Sequence, residues 1–263
     1  HGVGDIGDCS NDAPSLHAAD AGLSVDSAVD VAKAAADIIV LEKNLLVLHD
    51  GVMEGRRTFG NIMKYILMGT SSNFGNMFSM AAAAMFLPFL PMLPTQILLN
   101  NMLYDLSEVA IPFDKVDAED LQQPHALDLH YIRGFMLVIG PISSVFDLIT
   151  FWVLLRWLDA QEALFQTGWF IESLCTQVLV IFVIRTQRNP LSSRPHRLLV
   201  MTSLAVVAVA LTLPWWPVAS SLGFVPPPPA LYGVVAVMSV GYLLTVELAK
   251  RGFHRWWMAR RIG

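Results

Sequence analysis

The run Gly134–Trp157, GFMLVIGPISSVFDLITFWVLLRW, decides the fold class, because among its 24 residues only Asp147 and Arg156 are charged. A helix needs about 20 mostly apolar residues to cross roughly 30 Å of hydrocarbon. Five other stretches read the same way, approximately 64–87, 93–112, 168–185, 198–217 and 230–249. Only the cluster Pro88, Pro91 and Pro94 separates the first two, which predicts a tight helical hairpin. The expectation is a mainly α-helical polytopic membrane protein of about six transmembrane helices. Composition agrees: 54 % of the 263 residues are apolar and 15 % charged, against about 25 % charged in soluble domains.

Lys and Arg set the expected orientation. If the N-terminal piece is cytoplasmic, Lys115 and Arg133 fall on that side, as do Arg185, Arg188, Arg194 and Arg197. So does the tail with Lys250, Arg251, Arg255, Arg260 and Arg261; the opposite side holds Arg156 alone. Both ends are therefore expected in the cytoplasm, with Trp215 and Trp216 at the outer interface. The net charge of −5 is spread too evenly to suggest a nucleic-acid partner. Cys9 and Cys175 lie in different kinds of segment and imply no disulfide framework. The chain opens on His1 and Gly2 without Met or a signal peptide, which reads as a truncation.

Before the first span the pattern changes. Val3–Gly7, Gly22–Val25 and Ile38–Leu41 read as strands, Asp12–Ala19 and Ala28–Ala36 as helices, and Leu45 onward as a long helix entering the membrane. A βαβα rhythm implies a parallel sheet with helices on its faces. About sixty residues are too few to enclose such a sheet, so further strands are expected.

Gly7-Asp8-Cys9-Ser10-Asn11-Asp12-Ala13-Pro14-Ser15-Leu16 resembles the GDGxNDxPAL signature of P-type ATPases, and Asp20 with Gly22-Leu23-Ser24-Val25 resembles its continuation. The resemblance runs on through Asp37–Leu41, Glu54–Phe59, Asn61–Tyr65, Ser71–Asn76, Phe86–Pro94 and Leu103–Asp105. Ile111-Pro112-Phe113-Asp114 and Gly140–Asp147 are similar to the magnesium-transporting branch of bacterial pumps. It covers nearly the whole chain and implies the C-terminal part of such a pump in the bacterial inner membrane. Residues 1–45 would then be part of a haloacid-dehalogenase-like phosphorylation domain. Residues 46–63 would be a stalk helix, 64–250 the membrane domain, and 251–263 a basic cytoplasmic tail. The resemblance also implies that Asp8 helps hold a catalytic Mg2+ and that Asn11 and Asp12 organise the site around a phosphorylated aspartate. Phosphoryl transfer needs a hard cation on oxygen ligands with polar groups placed around the moving charge.

No DKTGT-like segment occurs here, so ATP and the phosphorylated aspartate are expected in the missing N-terminal part of the same pump. The second glycine of GDG is Cys9, and a φ > 0 there would cost on the order of 1–2 kcal/mol.

Ionisable groups within spans suggest function. Asn73 and Asn76 are three apart and share a helix face, Asn101 and Asp105 are four apart, and Glu108 follows. With Asp147 they supply oxygens suited to a transported divalent cation, Mg2+ by the resemblance, with Ca2+ as another possible cargo. Glu172 and Glu247 are weaker candidates, the first placed near the outer end of its span and the second beside the basic tail. Met77, Met80 and Met85 read as packing, and seven histidines show no metal-ligand spacing. Two other readings stay open: a passive membrane module derived from a pump, and a fragment without function.

Overall fold

The computed structural model describes residues 2–42, 44–122, 124–190 and 192–262. His1, where the sequence reads as truncated, lies outside them, as does the side chain of Arg261 in the tail. The chain divides into two compact units, His1–Arg56 and Arg57–Gly263.

In the first unit the strand and helix segments fall where their periodicity puts them. Strands β1 (Gly4–Ile6), β2 (Ala21–Val25) and β3 (Ile38–Val40) alternate with helices α1 (Ala13–Ala18) and α2 (Asp30–Ala35). The sheet is parallel in the order β1-β2-β3, with Gly4 opposite Ala21 and Leu23 opposite Ile38. Leu16, Ala28 and Ala32 form its small core. Ile6, Ile38 and Ile39 stay exposed, apolar strand surface of the kind proteins normally cover.

Helix α3 (Leu45–Phe86) is 42 residues long, beginning in the first unit and ending in the second. The second unit continues with α4 (Pro94–Glu108), the short α5 (Ala118–Gln122), α6 (Leu129–Arg156), α7 (Glu162–Leu179), α8 (Ile181–Ile184), α9 (Arg197–Thr212) and α10 (Pro229–Ile262). Proline at the first position of α4 and α10 suits a helix start, where the missing N–H has no partner to lose.

Among the described residues four helical segments are long and apolar enough to cross a membrane: Leu129–Arg156, Glu162–Ile184, Arg197–Trp215 and Pro229–Arg260. They coincide with four of the six expected spans. The other two fall on α3 and α4, and the difference has a physical reason. Helix α4 has 15 residues, short of the full crossing length. The second half of α3 is diluted by Thr70, Ser71, Ser72, Asn73, Asn76 and Ser79.

Helix α7 is the centre of the bundle, packing against α4, α6, α9 and α10. Every residue from Phe165 to Val178 is buried, whether apolar or polar. Phe151, Leu154, Phe165, Trp169, Phe170 and Leu174 form the core around it. The rings of Phe151 and Trp169 meet edge to face with centroids 4.9 Å apart.

Candidate functional site

Two groups of polar residues stand out, one in each unit. The first lies at the C-terminal end of β1, where the chain turns through Ser10–Asp12 into α1. Asp12 Oδ2 accepts the backbone N–H groups of Asp8, at 3.0 Å, and Cys9, at 2.9 Å. Ser24 on β2 donates to the Gly7 carbonyl at 2.8 Å, tying the turn to the sheet. A side chain at Gly7 would collide with Asp12, so glycine is required for this approach. Cys9 adopts an extended φ of −105°, so the strain expected from losing the motif's glycine does not arise.

Ligand atoms of Asp8, Cys9 and Asp12 all lie within 4.8 Å of one another, and Asn11 is exposed in the same turn. Carboxylate oxygen suits a hard cation and thiol sulfur does not, so Asp8 and Asp12 are the fitting pair for Mg2+. The Cys9 thiol donates to Asp8 Oδ1 at 3.2 Å. That hydrogen bond and the Asp8 charge push the thiol above its ordinary pKa. A cavity of about 360 Å³ opens beside the pair, lined by Ile6, Val25, Val40, Glu42, Asn44 and Leu48 among others. It sits where the three parallel strands end, the usual ligand position on an open α/β sheet.

The second group lies among the helices. Asp147, on α6, is 2 % exposed. Its carboxylate accepts from Ser79 on α3 at 2.5 Å and from Trp169 Nε1 on α7 at 2.9 Å, and the Glu172 carboxyl lies close enough to interact with it. Glu172 is 1 % exposed, and its Oε2 has no partner among the described residues. One turn from Ser79 on α3, Asn76 accepts from Ser173 at 3.3 Å, and Ser173 in turn accepts from Gln177 at 2.5 Å. The structure therefore gathers Asn76, Ser79, Asp147, Glu172 and Ser173 across α3, α6 and α7.

Asn73, Asn101 and Asp105 stand apart from this cluster and are exposed. Among the described residues no hydrogen bond joins them to Asp147. On α4 the buried polar face is one residue out of step with the expected one: Gln96, Asn100, Ser107 and Glu108 are inside. The side-chain oxygens Asn100 Oδ1 and Glu108 Oε1 have no partner among the described residues. Tyr104, beside Asp105, donates to Ser72, beside Asn73, at 3.4 Å, so Asn73 and Asp105 stand at one level on α3 and α4.

Glu172 is the residue that sequence reasoning undervalued. Its span was expected to begin near residue 168, which placed it at an outer edge. The helix begins at Glu162, so Glu172 lies ten residues, about 15 Å, inside it. The amphiphilic start Glu162-Ala163-Leu164-Phe165 was the available signal.

Carboxylates and amides buried within an apolar helix bundle of membrane-spanning length mark a candidate functional site. The model of the family "Cation transporting ATPase, C-terminus" matches residues 89–252, and the chain belongs to that family. It is 48 % identical over 268 aligned positions to "Magnesium-transporting ATPase, P-type 1" of Salmonella typhimurium (strain LT2), covering 100 % of this chain and 29 % of that protein. The protein of the same name in Escherichia coli (strain K12) is 48 % identical over 269 positions, again 100 % and 29 %. The "Calcium-transporting ATPase" of Bacillus subtilis (strain 168) is 25 % identical over 256 positions, 95 % and 28 %. The chain thus spans under a third of the length of these relatives and matches their C-terminal part.

Proposed function

We propose that this chain supplies the ion path and one edge of the phosphorylation site of an ATP-driven Mg2+ pump in the bacterial inner membrane. The observation that carries the reading is the Asp147–Glu172 pair, two neighbouring carboxyl groups buried together inside an apolar bundle. Such a pair needs a proton or a cation between its members. With Asn76 and Ser173 beside it, the pair presents the hard oxygen set a divalent cation requires. Asn73, Asn101 and Asp105 on α3 and α4 extend the path, their exposed faces available to the remainder of the pump.

In this reading the first unit is part of a haloacid-dehalogenase-like phosphorylation domain. Its exposed Ile38 and Ile39 pack against further strands from the missing N-terminal part. Asp8 and Asp12 hold the catalytic Mg2+, which offsets phosphoryl charge, and Asn11 orients groups around it. Residues 46–63 of α3 act as a stalk and residues 251–263 as a basic cytoplasmic tail. All six apolar segments cross the bilayer, with both ends of this chain in the cytoplasm. The name of the B. subtilis relative makes Ca2+ the alternative cargo.

The reading is tested by expressing the full-length protein in a bacterium stripped of its own Mg2+ uptake systems. Growth at low Mg2+ is expected from the unaltered protein and not from Asp147→Asn or Asp105→Asn present in equal amounts. Full growth with both variants would sink it.

A further inference from the structure

A buried ionic cluster centred on Asp114 has no part in the reading above. Asp114 follows α4 and is 2 % exposed. Its Oδ2 accepts from Lys64 Nζ on α3 at 2.8 Å and from Arg185 Nε at 2.8 Å. Its Oδ1 accepts from Arg185 Nη2 at 3.1 Å and from the His196 backbone N–H at 3.0 Å. Three segments distant in sequence thus converge on one carboxylate. Burial alone would raise the Asp114 pKa; the Arg185 and Lys64 bonds outweigh it and hold the carboxyl below its usual range.

The grip on α3 is broader than one ion pair. Lys64 also donates to the Lys115 carbonyl at 2.8 Å, and Asn61 donates to the carbonyls of Pro112 and Asp114 at 2.9 and 3.0 Å. At Gly60 an added Cβ would stand 2.9 Å from Val116, so the absence of a side chain lets this strip lie against the helix. On the other flank, Asp117 accepts from Thr186 at 2.6 Å and Ser193 at 3.3 Å. Lys64 and Arg185 are balanced by Asp114 and Asp117.

A buried ion pair is weak evidence for stability, because well-packed apolar residues often serve as well, whereas a charged cluster fixes one arrangement. What it fixes here follows from spacing. Lys64 precedes Asn73 by nine residues, about 13 Å of helix, and Asp114 follows Asp105 by nine. The Ser72–Tyr104 hydrogen bond joins the two arms at that level.

We propose that Asp114 is a positioning residue for the cation path: by closing the α3–α4 hairpin on Lys64, it sets the register that brings Asn73 and Asp105 to one level. The inference rests on the transport reading above. A slip in register weakens cation binding more than it slows turnover, because ligand geometry is lost while the chemistry elsewhere is untouched.

The test uses the full-length pump in proteoliposomes, measuring ATP-driven Mg2+ transport against free Mg2+ on the loading side. Asp114→Asn and Lys64→Met should each raise the half-saturating concentration about tenfold, with the maximal rate kept within about twofold. Lys64→Arg should restore the original value, and the double variant should be no worse than Asp114→Asn alone. If Asp114→Asn does not accumulate, the contrast between Lys64→Met and Lys64→Arg decides the matter alone. A half-saturating concentration unchanged in folded variants, with only yield or maximal rate reduced, overturns the proposal. A wild-type protein without Mg2+ transport instead removes the reading on which it rests.

Discussion

Replacing Trp169 by Phe tests whether the Asp147 cluster is held by specific bonds or only by packing. The substitution keeps an aromatic ring against Phe151 but removes the Nε1–H that Asp147 accepts at 2.9 Å. Both side chains are almost fully buried, so no water replaces the donor. A hydrogen bond to a charged acceptor contributes about 1.5–3 kcal/mol. At roughly 2–4 °C per kcal/mol for a unit of this size, Trp169→Phe should lower the unfolding midpoint by about 3–12 °C. Cys175 offers the probe, since it is 2 % exposed on the same helix and becomes reactive to a thiol dye only on unfolding. The protein would carry Cys175 as its sole cysteine. Asp147→Asn and the double variant complete a cycle. If the bond is charge-assisted, the two substitutions should be coupled by at least about 1 kcal/mol. Additivity within about 0.5 kcal/mol would refute the reasoning, leaving Trp169 a packing residue.

Three other outcomes follow from the structure. Gly168→Ala places a Cβ 2.7 Å from Leu154 Cδ2, and such overpacking should destabilise by about 1–3 kcal/mol. The same thermal assay should find that loss partly relieved by Leu154→Ala. Acid should act through Asp114: its depressed carboxyl contributes stability above the ordinary carboxylate range and loses it as pH falls through that range and below. Unfolding midpoints between pH 6 and 3 should therefore fall more steeply for the unaltered protein than for Asp114→Asn. Cys9, exposed but held protonated by Asp8, should alkylate slowly at pH 8, and Asp8→Asn should speed the reaction. Equal rates would contradict the hydrogen bond between them.

The alternation of short strands and helices up to residue 42 is legible because each segment is bounded by glycine, proline or acidic residues and follows one period. The four longest apolar runs are legible for a simpler reason, since length and composition alone mark them. The ligand faces were harder to read. Helix α4 carries polar residues at both Asn100 and Asn101, and nothing local says which points inward; packing against α7 and α9 buries Asn100. Glu172 depended on where α7 begins, a boundary that apolar composition blurs. The cluster around Asp114 was invisible because its members are separated by 50 to 82 residues and belong to segments that read as ordinary basic loops.

In the function proposed above, Asp147 and Glu172 line the path of a magnesium ion. The most direct test is ATP-driven uptake of Mg2+ and of Ca2+ by proteoliposomes holding the full-length protein, with Glu172→Gln beside the unaltered form. Mg2+ flux that Ca2+ does not replace is expected, with a marked rise in half-saturating Mg2+ for Glu172→Gln. Flux of Ca2+ in preference to Mg2+, or Mg2+ flux indifferent to Glu172→Gln, would contradict it.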